Sequence, residues 1–181
     1  MEFLAISGSL RAASSNSRLI AALPRLCAPG DSVLVFDGLN DLPHFNPDLD
    51  GDLLPPVRRL RQAVGASDGL IICSPEYAHG VAGVMKNALD WLVPSVEFPE
   101  KPVALLNAAP HAHHAQDHIR ETLTMMQARF VEAACVPVPL PGRNLDSDGI
   151  VGDPELSALL SKALNAFSEG VAAMAPAPDW S

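Results

Sequence analysis

The sequence has few basic residues and no long apolar run. It contains 12 Lys and Arg against 21 Asp and Glu, which gives a net charge of −9. Nucleic-acid binding requires a basic surface that displaces phosphate counterions, so this charge argues against DNA or RNA as a partner. Every apolar run is shorter than the ~20 residues of a transmembrane helix. We therefore expect no nucleic-acid partner and no membrane span, and any anionic ligand has to be held by local geometry.

Cysteine is also scarce. Cys27, Cys73 and Cys135 are odd in number, far apart and without C-x-x-C spacing, which indicates neither a disulfide framework nor a zinc site. The N-terminal MEFLAIS has an acidic residue where a signal peptide has basic ones. We therefore expect a cytoplasmic location. Cys73 ends an apolar run without a nearby base, so we interpret it as a packing residue and not as a nucleophile.

Short apolar runs alternate with amphipathic segments of helical length. Strands that are continuously apolar are typical of a parallel sheet covered by helices on both faces. The predicted strands are 3–6, 32–36, 69–74, 102–108 and 135–140, and the predicted helices are 15–27, 53–66, 82–93, 113–130 and 154–173. This alternation predicts a doubly wound α/β sandwich. We expect one domain over residues 1–175 and a flexible tail over residues 176–181.

The segment ISGSLRAASSNSRL, residues 6–19, follows the first predicted strand. Ligands of open parallel sheets bind beyond the carboxyl ends of the strands. Hydroxyl groups, the Asn16 amide and the free N–H groups of a helix N-terminus form a phosphate site, to which Arg11 adds positive charge. The alternative is an ordinary helix cap with a solvated arginine.

Other types of phosphate loop are excluded by their missing residues. The segment has no G-x-G-x-x-G, no G-K-[ST] and no cysteine, so it is not a dinucleotide fingerprint, a nucleoside-triphosphate loop or a covalent phosphatase loop. We expect it to bind phosphate without attacking it.

A second motif, SPEYAHGVAGVMKNALDWLV, spans residues 74–93 after the third predicted strand. Pro75 restricts the backbone to an extended turn, and Gly80 and Gly83 allow close approach of a flat ligand. Such a turn can place Tyr77 and backbone amides along a planar aromatic ring. The alternative is a tight loop with a half-buried tyrosine.

Together, G-S-L-R-x-x-S-x-N and P-E-Y followed by G-V-x-K-N-A-L-D-W resemble the NADPH-dependent FMN reductase family over about residues 2–170. The resemblance implies a flavodoxin-like five-stranded parallel sheet of order 2-1-3-4-5 with helices on both faces. It also implies bound FMN, NADPH or NADH as co-substrate, a small-molecule electron acceptor such as a quinone, and a homodimer or homotetramer. The chemistry is that of the flavin, so no catalytic side chain is expected.

The resemblance also implies the cofactor-binding residues. Those assigned to the FMN phosphate are Ser9, Arg11, Ser14, Asn16 and Ser17, and those assigned to the flavin ring are Pro75, Glu76, Tyr77, Ala78, His79 and Ala109. Many relatives have Asn where this chain has Ala78, and a small residue at the position of His79. We therefore expect backbone amides to bind the ring and His79 to protrude towards the substrate.

A histidine-rich segment, NAAPHAHHAQDH, spans residues 107–118 after the fourth predicted strand. His114 and His118 lie one helical turn apart beside Asp117, but a metal site needs three or four converging ligands, so none is expected. We expect a capping and solvent-facing role. An alternative is that one of these histidines stabilises the negative charge of the reduced flavin.

Arg143, in PGRN, is a candidate cation for the nicotinamide co-substrate. Two other functions stay open at this point, and both would use the same fold. One is a flavodoxin-type electron carrier, and the other is a binding or regulatory module that lacks flavin.

Overall fold

The central sheet contains parallel strands. The computed structural model describes residues 1–11, 13–49, 51–140 and 142–174, so the predicted tail at 176–181 lies outside the described residues. The strands are β1 (Glu2–Ser7), β2 (Ser32–Phe36), β3 (Gly69–Cys73), β4 (Glu76–Tyr77), β5 (Gly80–Val81), β6 (Pro102–Leu106) and β7 (Arg129–Phe130). Within these ranges, five parallel strands pair in the order β2-β1-β3-β6-β7, while β4 and β5 form a separate antiparallel hairpin. With the hairpin set aside, the predicted order 2-1-3-4-5 is confirmed.

Helices cover both faces of this sheet. They are α1 (Ser15–Ala22), α2 (Pro55–Ala66), α3 (Gly83–Leu92), α4 (His114–Met125), α5 (Ser147–Gly152) and α6 (Pro154–Ala173). Side chains of β1 alternate between two cores: Phe3 and Ala5 pack with α1, α5 and α6, whereas Leu4 and Ile6 pack with α2, α3 and α4. Because β1, β3 and β6 each contribute to both cores, their sequences are almost continuously apolar, as a doubly covered sheet requires.

Helix α5 was missed by the sequence prediction because SDGIVG is short and contains two glycines of low helix propensity. Two features of the surroundings stabilise it. The Asp146 carboxylate caps its first turn by accepting from the Gly149 N–H at 2.8 Å, and Ile150 is fully buried in the core beside α1 and α6. Capping and tertiary packing therefore form a helix that propensity alone does not predict.

The fifth strand differs from its predicted extent. Instead of a strand over 135–140, the chain pairs with β6 at Arg129–Phe130, makes a 3₁₀ turn at Glu132–Ala134, and then forms a single bridge between Pro137 and Asn107. Around this bridge, the Asn107 N–H donates to Val136 O at 3.1 Å and the Val138 N–H donates to Asn107 O at 2.8 Å. Pro137 and Pro139 have no N–H group, so the apolar run cannot form a complete strand ladder.

The K-N-A-L-D-W motif of α3 anchors the long connection at residues 38–54. Asn87 Nδ2 and Trp91 Nε1 both donate to the Pro43 carbonyl, at 2.9 and 2.8 Å, and Asn87 Oδ1 accepts from the Phe45 N–H at 2.8 Å. Phe45 also packs edge-on against the Trp91 ring. Within the helix, Lys86 and Asp90 are one turn apart and form an ion pair. The motif therefore stabilises a neighbouring loop as well as its own helix.

In the described part of the chain, no helix is both long enough and apolar enough to cross a membrane.

Candidate active site

A cleft of about 560 Å³ lies at the carboxyl ends of the parallel strands. The segments after β1, β3 and β6 line it, because these strands are neighbours in the sheet. A fourth segment, residues 142–145, forms another wall. The volume of the cleft is within the range of about 300–1,000 Å³ that is typical of small-molecule and cofactor sites. The cleft therefore lies where ligands of open α/β sheets bind.

The segment after β1, which we call the serine loop (residues 7–11 and 13–17), is held by its own hydroxyl groups. Ser17 Oγ lies 3.0 Å from Ser7 Oγ and donates to the Ser9 carbonyl at 3.3 Å. The Ser9 N–H donates to Ser7 Oγ, and the Arg11 N–H donates to Ser9 Oγ. Ser7 and Ser17 therefore stabilise the loop internally, whereas the Ser9 hydroxyl donates to no other group in the described part of the chain and is available to a ligand in the cleft.

Helix α1 begins at the cleft without a side-chain cap. Ser14 occupies the cap position, but its side chain makes no capping hydrogen bond. The N–H groups of the first turn are consequently left for another acceptor, at the positive end of the helix dipole. Arg11 lines the same region, is exposed, and has no ion-pair partner among the described residues. The arrangement is suited to an anion.

Gly8 permits close approach of the first and third strand ends. A Cβ at this position would lie 2.3 Å from Ser74 Oγ and 2.7 Å from Ser74 Cβ. The Gly8 N–H also donates to the Cys73 carbonyl at 2.8 Å. The glycine of G-S-L-R is therefore required by packing between the serine loop and the residue that precedes Pro75.

Strands β4 and β5 form a hairpin (residues 76–81) at the edge of the cleft. Its two-residue turn, Ala78 and His79, has φ values of +49° and +60°. Left-handed backbone conformations at both turn positions are typical of a type I′ turn, which favours Asn and Gly. Non-glycine residues here cost about 1–2 kcal/mol each. Such local strain is often found at binding sites.

The hairpin is attached to the start of α4. A Glu76 carboxylate oxygen accepts from the Ala115 N–H at 3.0 Å, so this residue caps α4 from outside the helix. This hydrogen bond, with smaller contributions from the nearby His114 and His79, lowers the pKa of Glu76. The capping group of α4 is therefore Glu76 of the hairpin. The expectation that a histidine of residues 107–118 caps this helix is wrong, because the His113 side chain at the cap position makes no capping hydrogen bond.

Three histidines stack beside this attachment. The His79 and His114 rings lie 4.3 Å apart, centroid to centroid, and His113 lies 4.2 Å from His114. Among the described residues, no group of three or more His, Cys, Asp or Glu side chains is arranged to hold a metal ion. Of the histidines in the 107–118 segment, His111 lines the cleft. It is the one suited to the alternative role near a reduced flavin.

Asn107 shapes the segment after β6. Its Oδ1 accepts from the Ala109 N–H at 2.9 Å, and its Nδ2 donates to the Ala112 carbonyl at 3.1 Å. Ala109 lines the cleft, but its own N–H is therefore already bonded. Any contact from Ala109 to a ligand would use its methyl group or its carbonyl.

The wall at residues 142–145 brings further cations to the cleft. Arg18 donates to Asn144 Oδ1 at 3.3 Å and to the Leu145 carbonyl at 3.2 Å. Arg143 lines the cleft, but its charge is paired with Asp153 at 2.9 Å and with Glu155 at 3.4 Å. Arg143 is thus less available to an anionic ligand than its sequence position suggests.

Most of the residues assigned to cofactor binding come together in the cleft. Those that line it are Ser9, Arg11, Ser14, Asn16, Pro75, Glu76, Tyr77 and Ala109. The other three do not line it: Ser17 lies within the serine loop network, and Ala78 and His79 form the hairpin turn. Lining residues that the sequence analysis did not assign to the cofactor include Arg18, Ser74, Asn107, Gln116 and Asn144. Asn107 has a recognisable signal, since it directly follows a strand that ends at the cleft.

These features define the class of protein: a doubly wound α/β protein with a cofactor-sized cleft that combines an anion site and a hairpin at its rim. The chain belongs to the NADPH-dependent FMN reductase family, whose sequence profile matches residues 1–140. The predicted family is therefore confirmed.

Similar proteins agree with this assignment. An NAD(P)H-dependent FMN reductase of Pseudomonas aeruginosa is 33% identical over 92% of this chain and 93% of its own length. A probable NADPH:quinone oxidoreductase of rice, Oryza sativa, is 33% identical over 88% of this chain and 83% of its own. The solved structure of FerB, a flavoenzyme NAD(P)H:(acceptor) oxidoreductase from Paracoccus denitrificans, superimposes with a TM-score of 0.75 at 27% identity, covering 94% of this chain and 97% of that one. The flavodoxin-like fold is therefore confirmed.

Proposed function

We propose that this protein is an oxidoreductase that passes a hydride from NAD(P)H through bound FMN to a quinone-like or other small acceptor. Its membership of the NADPH-dependent FMN reductase family supports FMN as cofactor and NAD(P)H as electron donor. A quinone acceptor is supported by the rice relative and by a quinone reductase of Escherichia coli that is 28% identical over 71% of this chain. The cleft, with its separate regions for an anion and for a flat ring, is the site of this activity.

The observation that carries this proposal is the uncapped start of α1 beside Arg11. Free N–H groups, the Ser9 and Ser14 hydroxyls and an unpaired guanidinium match the chemistry of the FMN phosphate. In a protein of net charge −9, a local cluster of hydrogen-bond donors with an arginine is typical of a site that binds an anion. The residues present therefore fit the cofactor.

The flavin ring is assigned to the opposite side of the cleft. Pro75, Glu76 and Tyr77 line it there, and Tyr77 is 55% exposed, which leaves its ring available for contact with a planar ligand. Because Glu76 is engaged with α4, it holds the hairpin in place. Ala78 and His79 contribute by shaping the hairpin turn that orients Tyr77.

In this mechanism the protein binds and orients its ligands. When bound, FMN supplies the redox chemistry, taking up a hydride from NAD(P)H and passing two electrons to the acceptor. The serine loop and Arg11 hold the phosphate, and the hairpin and the segment after β6 fix the position of the ring. Cys73 is not a nucleophile, because burial raises the pKa of its thiol to about 12.

Attraction of the nicotinamide co-substrate requires a local cation, because the acidic protein repels it at long range. Arg143 lines the cleft and is 36% exposed in its side chain, but it has to exchange Asp153 and Glu155 for the co-substrate. Arg18, on α1, donates to uncharged groups of Asn144 and Leu145, so these contacts do not neutralise its positive charge. We therefore assign Arg18, together with Arg143, to this role.

Spectroscopy and anaerobic reduction test the proposal. Purified protein, after reconstitution with FMN, is expected to show flavin absorbance that bleaches when NADH or NADPH is added without oxygen. Bleaching by neither nucleotide would point to an electron carrier. A protein that stays colourless after reconstitution would contradict the proposal and favour a module without flavin. A screen of quinones and other acceptors with both nucleotides then identifies the preferred substrates.

We also propose a homodimer or homotetramer in the cytoplasm, formed by a single-domain chain over residues 1–175. A reducing compartment is supported by Cys27, Cys73 and Cys135, all of which are free thiols. Self-association is supported by exposed apolar side chains, among them Val93, Val96 and Leu53. Light scattering after size-exclusion chromatography measures the mass of the assembly, and a monomer at micromolar concentration would contradict this part of the proposal.

A further inference from the structure

Cys73 connects two of the segments that line the cleft. It is the last residue of β3, is fully buried, and its thiol donates a hydrogen bond to Asn16 Oδ1 at 3.0 Å. The backbone N–H of Ala108, in the segment after β6, is near enough to the sulfur to lower the thiol pKa against the larger effect of burial. The Cys73 side chain therefore lies between the first turn of α1, to which it is hydrogen-bonded, and the segment that follows the neighbouring strand.

This contact determines which end of the Asn16 amide faces the cleft. A buried thiol keeps its proton at neutral pH and acts as a donor, so it pairs with the amide oxygen. The Asn16 NH₂ group then points away from the sulfur. Asn16 lines the cleft, is only 9% exposed, and its Nδ2 has no hydrogen-bond partner among the described residues. Because Nδ2 is accessible from the cleft, a bound ligand can accept its hydrogen bond in place of water.

We infer that Cys73 is a positioning residue for the cofactor, because it orients the Asn16 amide so that Nδ2 donates to the phosphate end of FMN. The inference rests on the proposed function, since it needs FMN in the cleft. Cys73 itself does not touch the cofactor, and its influence is transmitted through Asn16.

Three variants separate this role from simple packing. Cys73→Ala removes the donor, and we expect FMN to bind about 3- to 10-fold more weakly, the usual effect of one hydrogen bond. Cys73→Ser restores a donor and is expected to bind within about 2-fold of wild type. Cys135→Ala is the matched control, because Cys135 accepts a backbone N–H from Leu105 and, among the described residues, is hydrogen-bonded to no residue that lines the cleft. Dissociation constants are measured by quenching of flavin fluorescence, and thermal unfolding monitors the fold.

A double-mutant cycle tests whether Cys73 acts through Asn16. Asn16→Ala alone should weaken FMN binding, and adding Cys73→Ala should then cause little further loss. Riboflavin, which lacks the phosphate, should bind the wild type and Cys73→Ala with more similar affinities than FMN does. Additive losses in the cycle, or an equal loss for riboflavin and FMN, would overturn the inference and leave the proposed function intact. Failure of the wild-type chain to bind FMN at all would overturn both.

Discussion

The serine loop and the hairpin lie on two sides of one cleft, but they are stabilised in opposite ways. The serine loop is held from within, by hydrogen bonds among Ser7, Ser9 and Ser17, in ordinary backbone conformations. The hairpin has a turn with two non-glycine residues at positive φ, and it is held from outside by the start of α4. One region forms its own structure, whereas the other depends on a neighbouring helix.

This difference corresponds to the two ends of the proposed cofactor. A phosphate needs several donors at fixed positions, so its loop uses some hydroxyls for rigidity and leaves others free. A flat ring needs a surface at a fixed position in the cleft, and the attachment of the hairpin to α4 fixes the position of that surface. Variants at each region should therefore have distinct effects on binding and on stability.

The largest effect is expected where the serine loop packs against Ser74, in the segment that leads into the hairpin. Gly8→Ala would place a methyl group 2.3 Å from Ser74 Oγ and should cost about 1–3 kcal/mol of unfolding free energy, together with FMN affinity. Urea titration and fluorescence quenching measure the two losses. The control is Gly152→Ala, where no atom lies within 4 Å of the added Cβ. Adding Ser74→Gly to Gly8→Ala should recover part of both losses, and no recovery would show that the collision is not their cause.

Removal of the Arg11 guanidinium should weaken FMN binding and leave the unfolding free energy unchanged. Arg11→Ala is expected to weaken FMN binding about 10- to 100-fold, the usual contribution of a hydrogen bond to a charged group. The unfolding midpoint should stay at the wild-type value, because the guanidinium has no ion-pair partner in the described residues. Arg58→Ala, at an exposed arginine of α2, is the matched control. Unchanged FMN affinity in Arg11→Ala would refute the phosphate assignment.

Relief of strain in the turn should stabilise the hairpin. Ala78→Gly removes a left-handed alanine that costs about 1–2 kcal/mol, but glycine adds about 0.4–1 kcal/mol of unfolded-state entropy. We expect a net gain of about 0.5–1 kcal/mol in unfolding free energy. The same change at Ala158, exposed in the second turn of α6, should instead destabilise. Both are measured by urea titration, and a loss at Ala78 would show that the turn is not strained.

The smallest effect concerns the carboxylate that attaches the hairpin. Because the folded state lowers the pKa of Glu76, it favours the ionised form. The resulting stability is complete above the ordinary pKa of 4.5 and is lost as the pH falls through the lowered pKa. Glu76→Gln should therefore flatten the dependence of the urea midpoint on pH in this acidic range. Glu169→Gln, at an exposed position of α6, should keep the wild-type slope, and an unchanged slope in Glu76→Gln would contradict this account.

Sequence periodicity was sufficient for the strands that lie in the centre of the sheet. Residues 3–6 and 69–74, which belong to β1 and β3, were placed almost as found, because strands covered on both faces must be continuously apolar. The outermost strand was placed too late in the chain. The apolar residues at 135–140 are typical of a strand, but two prolines among them prevent a regular ladder of hydrogen bonds. The strand that does pair with β6, Arg129–Phe130, has two residues and is too short to show a periodic pattern in the sequence.

The candidate site could be located from the sequence, but its contacts could not. The serine loop was recognised because its residues are consecutive and follow a strand. The partner of Glu76 lies 39 residues away in the chain, and that of Cys73 lies 57 away, so no local pattern indicates either hydrogen bond. Cys73 was interpreted as packing alone, which its burial supports, but its hydrogen bonds depend on the register of three neighbouring segments.

The prolines of the outermost segment also determine how the molecule meets other chains. The Val136 carbonyl and the Val138 N–H are directed to Asn107, so Pro137 between them faces outward. Pro139 follows in a turn, in which the Leu140 N–H donates to the Val138 carbonyl. An incoming strand would find no N–H donor at either residue. Edge-to-edge sheet extension, a common route to aggregation, is therefore blocked along this segment. At Pro137 the sheet therefore ends without a donor for a further strand, on the side opposite β2.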